Sequence, residues 1–393
     1  MADMNLEAMQ AALREAGHDG WLFYDHHHRD PLGEAILGMD PKAHITRRWY
    51  YYIPATGEPR KLVHRIEQGR LDALPGTKGT YSSWQELQAG LAALLADANR
   101  VAMQYSPNND ILYVSMVDAG TVEFLRGLGK EIVSSADLVS QFEAVLSEEQ
   151  QASHAAAQGA IDTILAEGWK QMGRRVRSGS GTYTEFNHVQ WLSKAMRHEG
   201  LVWENGPNVS VNANSSDSHY EPTAERCAPI REGDFVLIDI WGRQEKANSV
   251  FYDITWTGVV GREPTGLESH VFATVCQARD AAIAAVTNAY AEGRPIRGFE
   301  ADDAARGVIG AAGFGKYFTH RTGHNIARQL HGAGAHLDNL ETHDERLLLP
   351  NTCFSVEPGV YLPEFGVRSE VNMMTAPGKA WVTGRIQTEL VRI

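Results

Sequence analysis

The chain has 393 residues, of which 43% are hydrophobic and 22% charged. That composition supplies large cores, excludes intrinsic disorder, and at this length sets an expectation of two domains or three. A formal net charge of −13 excludes nucleic acid as a principal partner, because phosphate binding needs a basic footprint.

In chain order, residues 1–17 read as an amphipathic helix with Leu6, Met9 and Leu13 on its apolar stripe. They lack the apolar core of a signal peptide. No run of about 18 apolar residues occurs anywhere, so no membrane span is expected. Trp21–Tyr24 is a short apolar run, and Arg48–Ile53 is an aromatic, strand-prone one stopped by Pro54. Residues 83–97 carry Leu87, Leu91, Leu94 and Leu95 at helical spacing. A strand at 101–105, a helix at 119–128 and a strand at 131–133 follow. This alternation predicts an α/β domain over residues 1–145. His26, His27 and His28 are adjacent in it, which suits a loop better than a shared ion.

Near residue 145 the pattern changes. Ser147 and Gln150 form a capping-box signature at the head of a long helix reaching about 173. Gly179-Ser180-Gly181 breaks the helical pattern, and a second helix covers 184–199. Strands follow at 207–211, 233–241 and 249–258, with a hairpin loop at 242–248. Helices at 267–291 and 299–311 come next, the first with Val271, Val275, Ala278, Ala282 and Val286 on one face. Strands at 352–357 and 366–373 complete the pattern. Helix, helix and acid-bearing strands thus occur twice, which predicts an α+β domain over 146–393 built from two facing halves related by a pseudo-twofold.

The chemistry lies in those strands. Asp239 follows Val236-Leu-Ile238, Asp253 sits inside the next strand, and Glu357 and Glu370 sit in the last two. A buried carboxylate must be protonated, paired or metal-bound. Arg226, Arg243 or Arg368 can pair with one such acid. Four acids together with His324 answer better to two divalent cations. Oxygen-rich ligation with one imidazole favours Mn²⁺, with Zn²⁺ or Co²⁺ as alternatives. Cys227, Cys276 and Cys353 are odd in number and lack CxxC spacing. They argue against a disulfide framework or a structural zinc site and fit a reducing cytoplasm.

The segments Leu237-Ile-Asp239, Asp253-Ile-Thr, His320-x-x-Gly-His324, Ser355-Val-Glu-Pro-Gly359 and Gly366-Val-Arg-x-Glu370 resemble, in order and context, those of the pita-bread (M24-type) metallopeptidases. The likeness extends over about 145–393 and is greatest to the Xaa-Pro dipeptidases (prolidases). It implies that Asp239, Asp253, His324, Glu357 and Glu370 are metal ligands, with Asp253 and Glu370 bridging two ions. It also implies that Glu357 is the general acid/base, and that His219 and His331 contact substrate and support turnover. Arg368 is implied to lie near the substrate carboxylate or the ligand carboxylates, and His320 to orient its neighbours or simply to pack. His343 occupies the place of a carboxylate-binding arginine, with Arg346 one helical turn beyond.

Three departures accompany the likeness. The two aspartates are 253 − 239 = 14 residues apart, a longer hairpin than usual. Trp256 replaces an arginine in Asp253-Ile-Thr-Trp-Thr257, and Gly332 replaces an acid after His331. The implied activity is hydrolysis of the Xaa-Pro bond of dipeptides by a cytoplasmic homodimer. The alternatives are an Xaa-Pro aminopeptidase acting on longer peptides, a metal-free hydrolase of this fold, and a binding protein. The last two would be expected to have lost ligands.

Overall fold

The computed structural model describes residues 4–179 and 181–393. Met1–Asp3 of the expected first helix and Ser180 of the expected break lie outside the described residues. The chain divides into two compact units, Met1–Glu143 and Ala144–Ile393.

The first unit comprises α1 (Leu6–Glu15), β1 (Gly20–Asp25), α2 (Pro31–Ile36), β2 (Trp49–Pro54), β3 (Arg60–His64), β4 (Thr77–Tyr81), α3 (Trp84–Leu94), β5 (Arg100–Met103), α4 (Ala119–Gly127), β6 (Glu131–Ser134) and α5 (Ala136–Val139). Its mixed sheet has the order β4-β3-β2-β1-β5-β6. The central strands β1 and β2 are buried along their whole length. That is why they read as unbroken apolar runs rather than alternating ones. Leu87 and Leu91 of α3 join Leu62 of β3 in the core.

The three histidines after β1 form a turn. His27 and His28 adopt left-handed φ angles of 61° and 57°. The Asp25 carboxylate accepts from the amides of His28, Arg29 and Asp30. His28 Nδ1 lies 2.8 Å from Glu34, while the His26 and His27 rings meet edge to face.

The second unit begins with α6 (Glu148–Ser178) and α7 (Glu185–His198), then β7 (Leu201–Val202), β8 (Asn208–Val211), β9 (Phe235–Gln244) and β10 (Tyr252–Val259). The expected capping box of Ser147 and Gln150 is present, and satisfies two orphan amides at the head of a 31-residue helix. Ile161, Leu165, Trp169, Leu192 and Met196 from the helices share a core with Ile238, Ile240 and Ile254 from the strands. Each such side chain contributes about 1.5–3 kcal/mol on burial.

The second half repeats the plan: α8 (Gly266–Ala291), α9 (Gly298–Ala311), β11 (Asn325–Ile326), β12 (Cys353–Val356), β13 (Gly359–Tyr361), β14 (Gly366–Arg368), β15 (Val371–Ala376), β16 (Lys379–Thr383) and β17 (Val391–Arg392). The predicted stripe of α8, Val271 through Val286, is fully buried with Phe354, Val356, Val371 and Met373.

Three details differ from the sequence reading. β9 runs on to Gln244, past the expected start of the loop. Glu357 lies just beyond β12, and Glu370 lies in a break between β14 and β15, so neither acid is inside a strand. The break has a long-range cause: the Glu370 amide donates to the Thr255 carbonyl of β10, at 3.2 Å, and leaves its own sheet's ladder.

Candidate metal centre

Strand register sets the first half of the site. Asp239 pairs across the ladder with Thr255, and Asp253 with Trp241. Side chains two residues apart share a face, so Asp239, Asp253 and Thr255 project together, while Ile238, Ile240 and Ile254 point the other way into the helical core. Asn372 of β15 fastens the second half to this strand. Its side chain accepts from the Asp253 amide at 3.0 Å and donates to the Asp253 carbonyl at 2.8 Å.

His324 is delivered by a segment lying along β12. The Ser355 amide donates to the His324 carbonyl, the Glu357 amide to the Thr322 carbonyl, and the His324 amide to Ser355 Oγ. Gly323 permits this approach, since a β-carbon there would collide with the Ser355 carbonyl. The buried Asp302 carboxylate anchors the same segment from α9 by accepting from the Thr322 amide at 2.8 Å.

Asp253, His324 and Glu370 each offer one ligand atom, and these atoms all lie within 4.8 Å of one another. His324 Nε2 is 3.3 Å from Glu357 Oε1 and 3.6 Å from Asp253 Oδ2. Asp239 joins the cluster through Arg368, whose Nη2 pairs with Asp239 Oδ2 and whose Nε lies 3.8 Å from Glu357 Oε2. Arg368 Nε also donates to Thr255 Oγ1, which in turn donates to Glu370 Oε2 at 2.7 Å. Of the three arginines that were candidates to pair with the acids, Arg368 does so. Arg226 lies over the Tyr220 ring, and Arg243 reaches Ser249.

The carboxylates exceed this compensation. Asp239 Oδ1, Asp253 Oδ1 and Glu370 Oε1 are buried without a hydrogen-bond partner. Burial pushes the Asp239 carboxyl up to about 7, against the pull of Arg368 and with the push of Asp253 and Glu357. Burial and the neighbouring acids also raise Asp253 and Glu370. Burial works the same way on Glu357, but His324, Arg368 and His320 together hold it below the usual carboxylate range. Three orphaned acid oxygens beside a buried imidazole are a donor set suited to divalent cations, which supply the missing positive charge.

His331 sets its ring edge-on to His324, with centroids 4.3 Å apart, and is itself exposed. The neighbouring His324, with partial desolvation of the ring, holds its pKa below the ordinary value. His219 is exposed on the 212–228 loop, within electrostatic reach of His331. His320 binds the Tyr361 hydroxyl at 2.7 Å, which also accepts from Arg368 at 3.2 Å, so it touches the cluster through that relay.

His343 and Arg346, the two positions in the place of a carboxylate-binding arginine, lie apart from the cluster's hydrogen bonds and ion pairs. His343 is exposed, bonded to Asn339, 3.4 Å from Glu345 and packed on Phe299. No helix links the two positions. Arg346 is buried in a fork with Asp344, bonded through Nε and Nη2, so its guanidinium is already engaged. A short loop tied to its own backbone needs that pair internally.

Thr255, Ser355, Tyr361 and Asn372 were not singled out as functional. For Thr255 and Ser355 a signal existed, because each lies two residues from a cluster acid and so on the same face. Tyr361 and Asn372 reach the site through long-range pairing, which a local pattern does not carry.

Residues 148–376 match metallopeptidase family M24, and the chain belongs to that family. A putative Xaa-Pro aminopeptidase of Mycoplasma pneumoniae is 29% identical over 206 residues, covering 52% of this chain and 54% of that protein. An Xaa-Pro dipeptidase of Lactobacillus helveticus is 31% identical over 180 residues, covering 46% and 43%. The chain thus spans about half the length of the curated relatives it matches. Among solved structures, dipeptidase PepE from Mycobacterium ulcerans aligns over 99% of this chain and 96% of its own, with TM-score 0.71 at 22% identity. A prolidase from Thermococcus sibiricus aligns over 100% of both chains, with TM-score 0.64 at 20% identity. The fold is the expected one, an α/β N-terminal part followed by the pita-bread arrangement of two helix-helix-strand halves. No helix among the described residues is long and apolar enough to cross a membrane.

Proposed function

We propose that this chain is a metal-dependent peptidase that cleaves the Xaa-Pro bond of dipeptides. The observation that carries the metal-dependent part is the grouping of Asp253 and Glu370, each with a buried oxygen left without a partner, around the His324 imidazole. The dipeptide preference follows the resemblance and the likeness to Xaa-Pro dipeptidases. On this reading Asp239, Asp253, His324, Glu357 and Glu370 hold two divalent cations, Mn²⁺ first among the candidates.

When bound, such a pair lowers the pKa of water and polarises a carbonyl. The remaining work falls to the chain. Glu357, with Oε1 fixed by the Ser355 hydroxyl at 3.0 Å, takes up the proton of the attacking water and passes it toward the leaving nitrogen. His331 and His219, on the solvent side, orient the peptide at the scissile bond. Arg368 restrains Asp239 and Glu357. A metal-free hydrolase or a binding protein is disfavoured, because all five acid and imidazole positions are occupied by competent donors.

A second reading, an Xaa-Pro aminopeptidase acting on longer peptides, is favoured by the Mycoplasma relatives. One assay separates them: stripped protein, reloaded with Mn²⁺, Zn²⁺ or Co²⁺, is given Ala-Pro, Leu-Pro and an Xaa-Pro-containing tripeptide. The proposal expects Mn²⁺-restored cleavage of the dipeptides. Faster cleavage of the tripeptide transfers the assignment to the aminopeptidase, and no cleavage with any ion ends the peptidase reading. A cytoplasmic homodimer belongs to the same proposal, and light scattering tests its stoichiometry.

A further inference from the structure

The first unit contains a cavity of about 700 Å³ between β1, β2, α3 and α4, within the size range of small-molecule sites. Its floor is aromatic and apolar. Tyr24 and Tyr50 stack with centroids 4.9 Å apart, and Tyr81, Leu87 and Leu91 continue the surface. Its rim is cationic: Arg29, Arg47 and Arg48 line it, with His26 and His64.

Three observations indicate that this arrangement is made for a ligand. First, the arginines are not consumed by the protein. Arg29, Arg47 and Arg48 form no side-chain ion pair among the described residues; the Arg47 guanidinium donates to its neighbour Thr46 and the Arg48 guanidinium to the Tyr81 hydroxyl, a neutral partner. Asp118 is the single lining acid, and it is already engaged as the cap of α4, accepting from the Thr121 amide and hydroxyl at 2.9 Å each. In a chain of net charge −13, three unpaired guanidiniums on one cavity run against the general balance. Second, Tyr50 is 1% exposed and lines the cavity, yet its hydroxyl makes no hydrogen bond among the described residues. A hydroxyl that lines the cavity and has no protein partner is available to donate to a bound acceptor. Third, Trp84 stands on the wall 63% exposed, a large flat face available for stacking.

We infer that this cavity is a binding site for a small organic anion with an aromatic ring. The ring would lie against Trp84, and the anionic group would be held by Arg29 and Arg48 with the Tyr50 hydroxyl. Guanidinium forks and charge-assisted hydrogen bonds suit carboxylate, sulfonate and phosphate alike.

The test is isothermal titration of the intact, metal-loaded protein with naphthalene-2-sulfonate, whose sulfonate is a weak ligand for divalent metals. Sulfate supplies the anion alone and 2-naphthol the ring alone. The inference expects one sulfonate per chain, bound at least about tenfold more tightly than either fragment. It also expects binding to weaken several-fold as salt rises from low to high, a reading that needs no variant. Arg29→Gln with Arg48→Gln should weaken binding by at least about tenfold, and Tyr50→Phe by about threefold or more. Absence of saturable binding, 2-naphthol binding as tightly as the sulfonate, or unchanged affinity in the folded double variant would each overturn it.

Discussion

Asp239, Asp253 and Glu370 each leave one buried oxygen without a partner, and an acid held that way has value only if something positive arrives. Asp239→Asn or Glu370→Gln is therefore expected to weaken metal binding by at least about tenfold and to lower turnover in parallel. Elemental analysis that found the full metal complement in either variant would count heavily against their role. His331→Ala should behave differently. It touches His324 by its ring edge and contributes no atom to the tight group, so metal should be retained while turnover falls about 10²-fold. Unchanged turnover would remove it from the reaction. At this scale the acids and His324 were legible because a carboxylate in an apolar run is conspicuous. The Arg368 relay through Thr255 and Tyr361 was not legible, because its members come from three separate strands. The conformation of His343 was hidden for a related reason: its place in the order resembles that of a binding arginine, and the loop turns its ring onto Phe299.

Among the elements, the long helices were the most legible, since a sustained apolar stripe and a capping box specify α6 and α8 locally. The β14–β15 break was hidden, because the Glu370 amide is claimed by β10 across the unit. β4 was missed because four of its five residues are exposed, which leaves no alternation to read. The loop carrying His219 shows how such distant ties hold a functional segment. Glu185, fully buried at the start of α7, accepts from the Val211 amide at 2.7 Å and the Ala228 amide at 2.6 Å, at the two ends of that loop. Within the loop it accepts from the Tyr220 hydroxyl at 2.7 Å and the Asn214 side chain at 3.0 Å. Glu185→Gln replaces one acceptor oxygen with a donor facing amides and hydroxyls that are themselves donors. The expected loss is about 2–4 kcal/mol, read from urea unfolding. Hydrogen exchange should speed up first at residues 212–228, and a destabilisation with unchanged exchange in that loop would deny Glu185 its anchoring role.

For the molecule as a whole, the cluster ties stability to both pH and metal. In the metal-free protein burial lifts Asp239 to about 7 and raises Asp253 and Glu370 as well. An acid whose folded pKa exceeds its unfolded value holds its proton more tightly when folded. Its contribution is present at low pH and is lost as pH rises through the folded value. Two groups of opposite sign overlap with this. Glu357 is lowered, and its contribution is lost as pH falls. The buried histidines, lowered chiefly by desolvation at His320, His324 and His336, also disfavour folding as pH falls below their unfolded value of about 6.5. Above about pH 7.5 those opposing groups have largely finished titrating in both states, and the raised acids, joined by the Cys276 and Cys353 thiols that burial also lifts, set a slope of falling stability. Melting of chelator-treated protein is therefore expected to fall by a few degrees between pH 7 and pH 9. Metal binding requires the same carboxylates deprotonated, so it draws on the form that high pH provides. Restoring Mn²⁺ should raise the melting temperature more at pH 9 than at pH 7, flattening or reversing the slope. Differential scanning calorimetry of stripped and reloaded protein at the two pH values reads both effects. A stripped protein that grew more stable from pH 7 to pH 9 would show that the buried acids are compensated by something other than the cation.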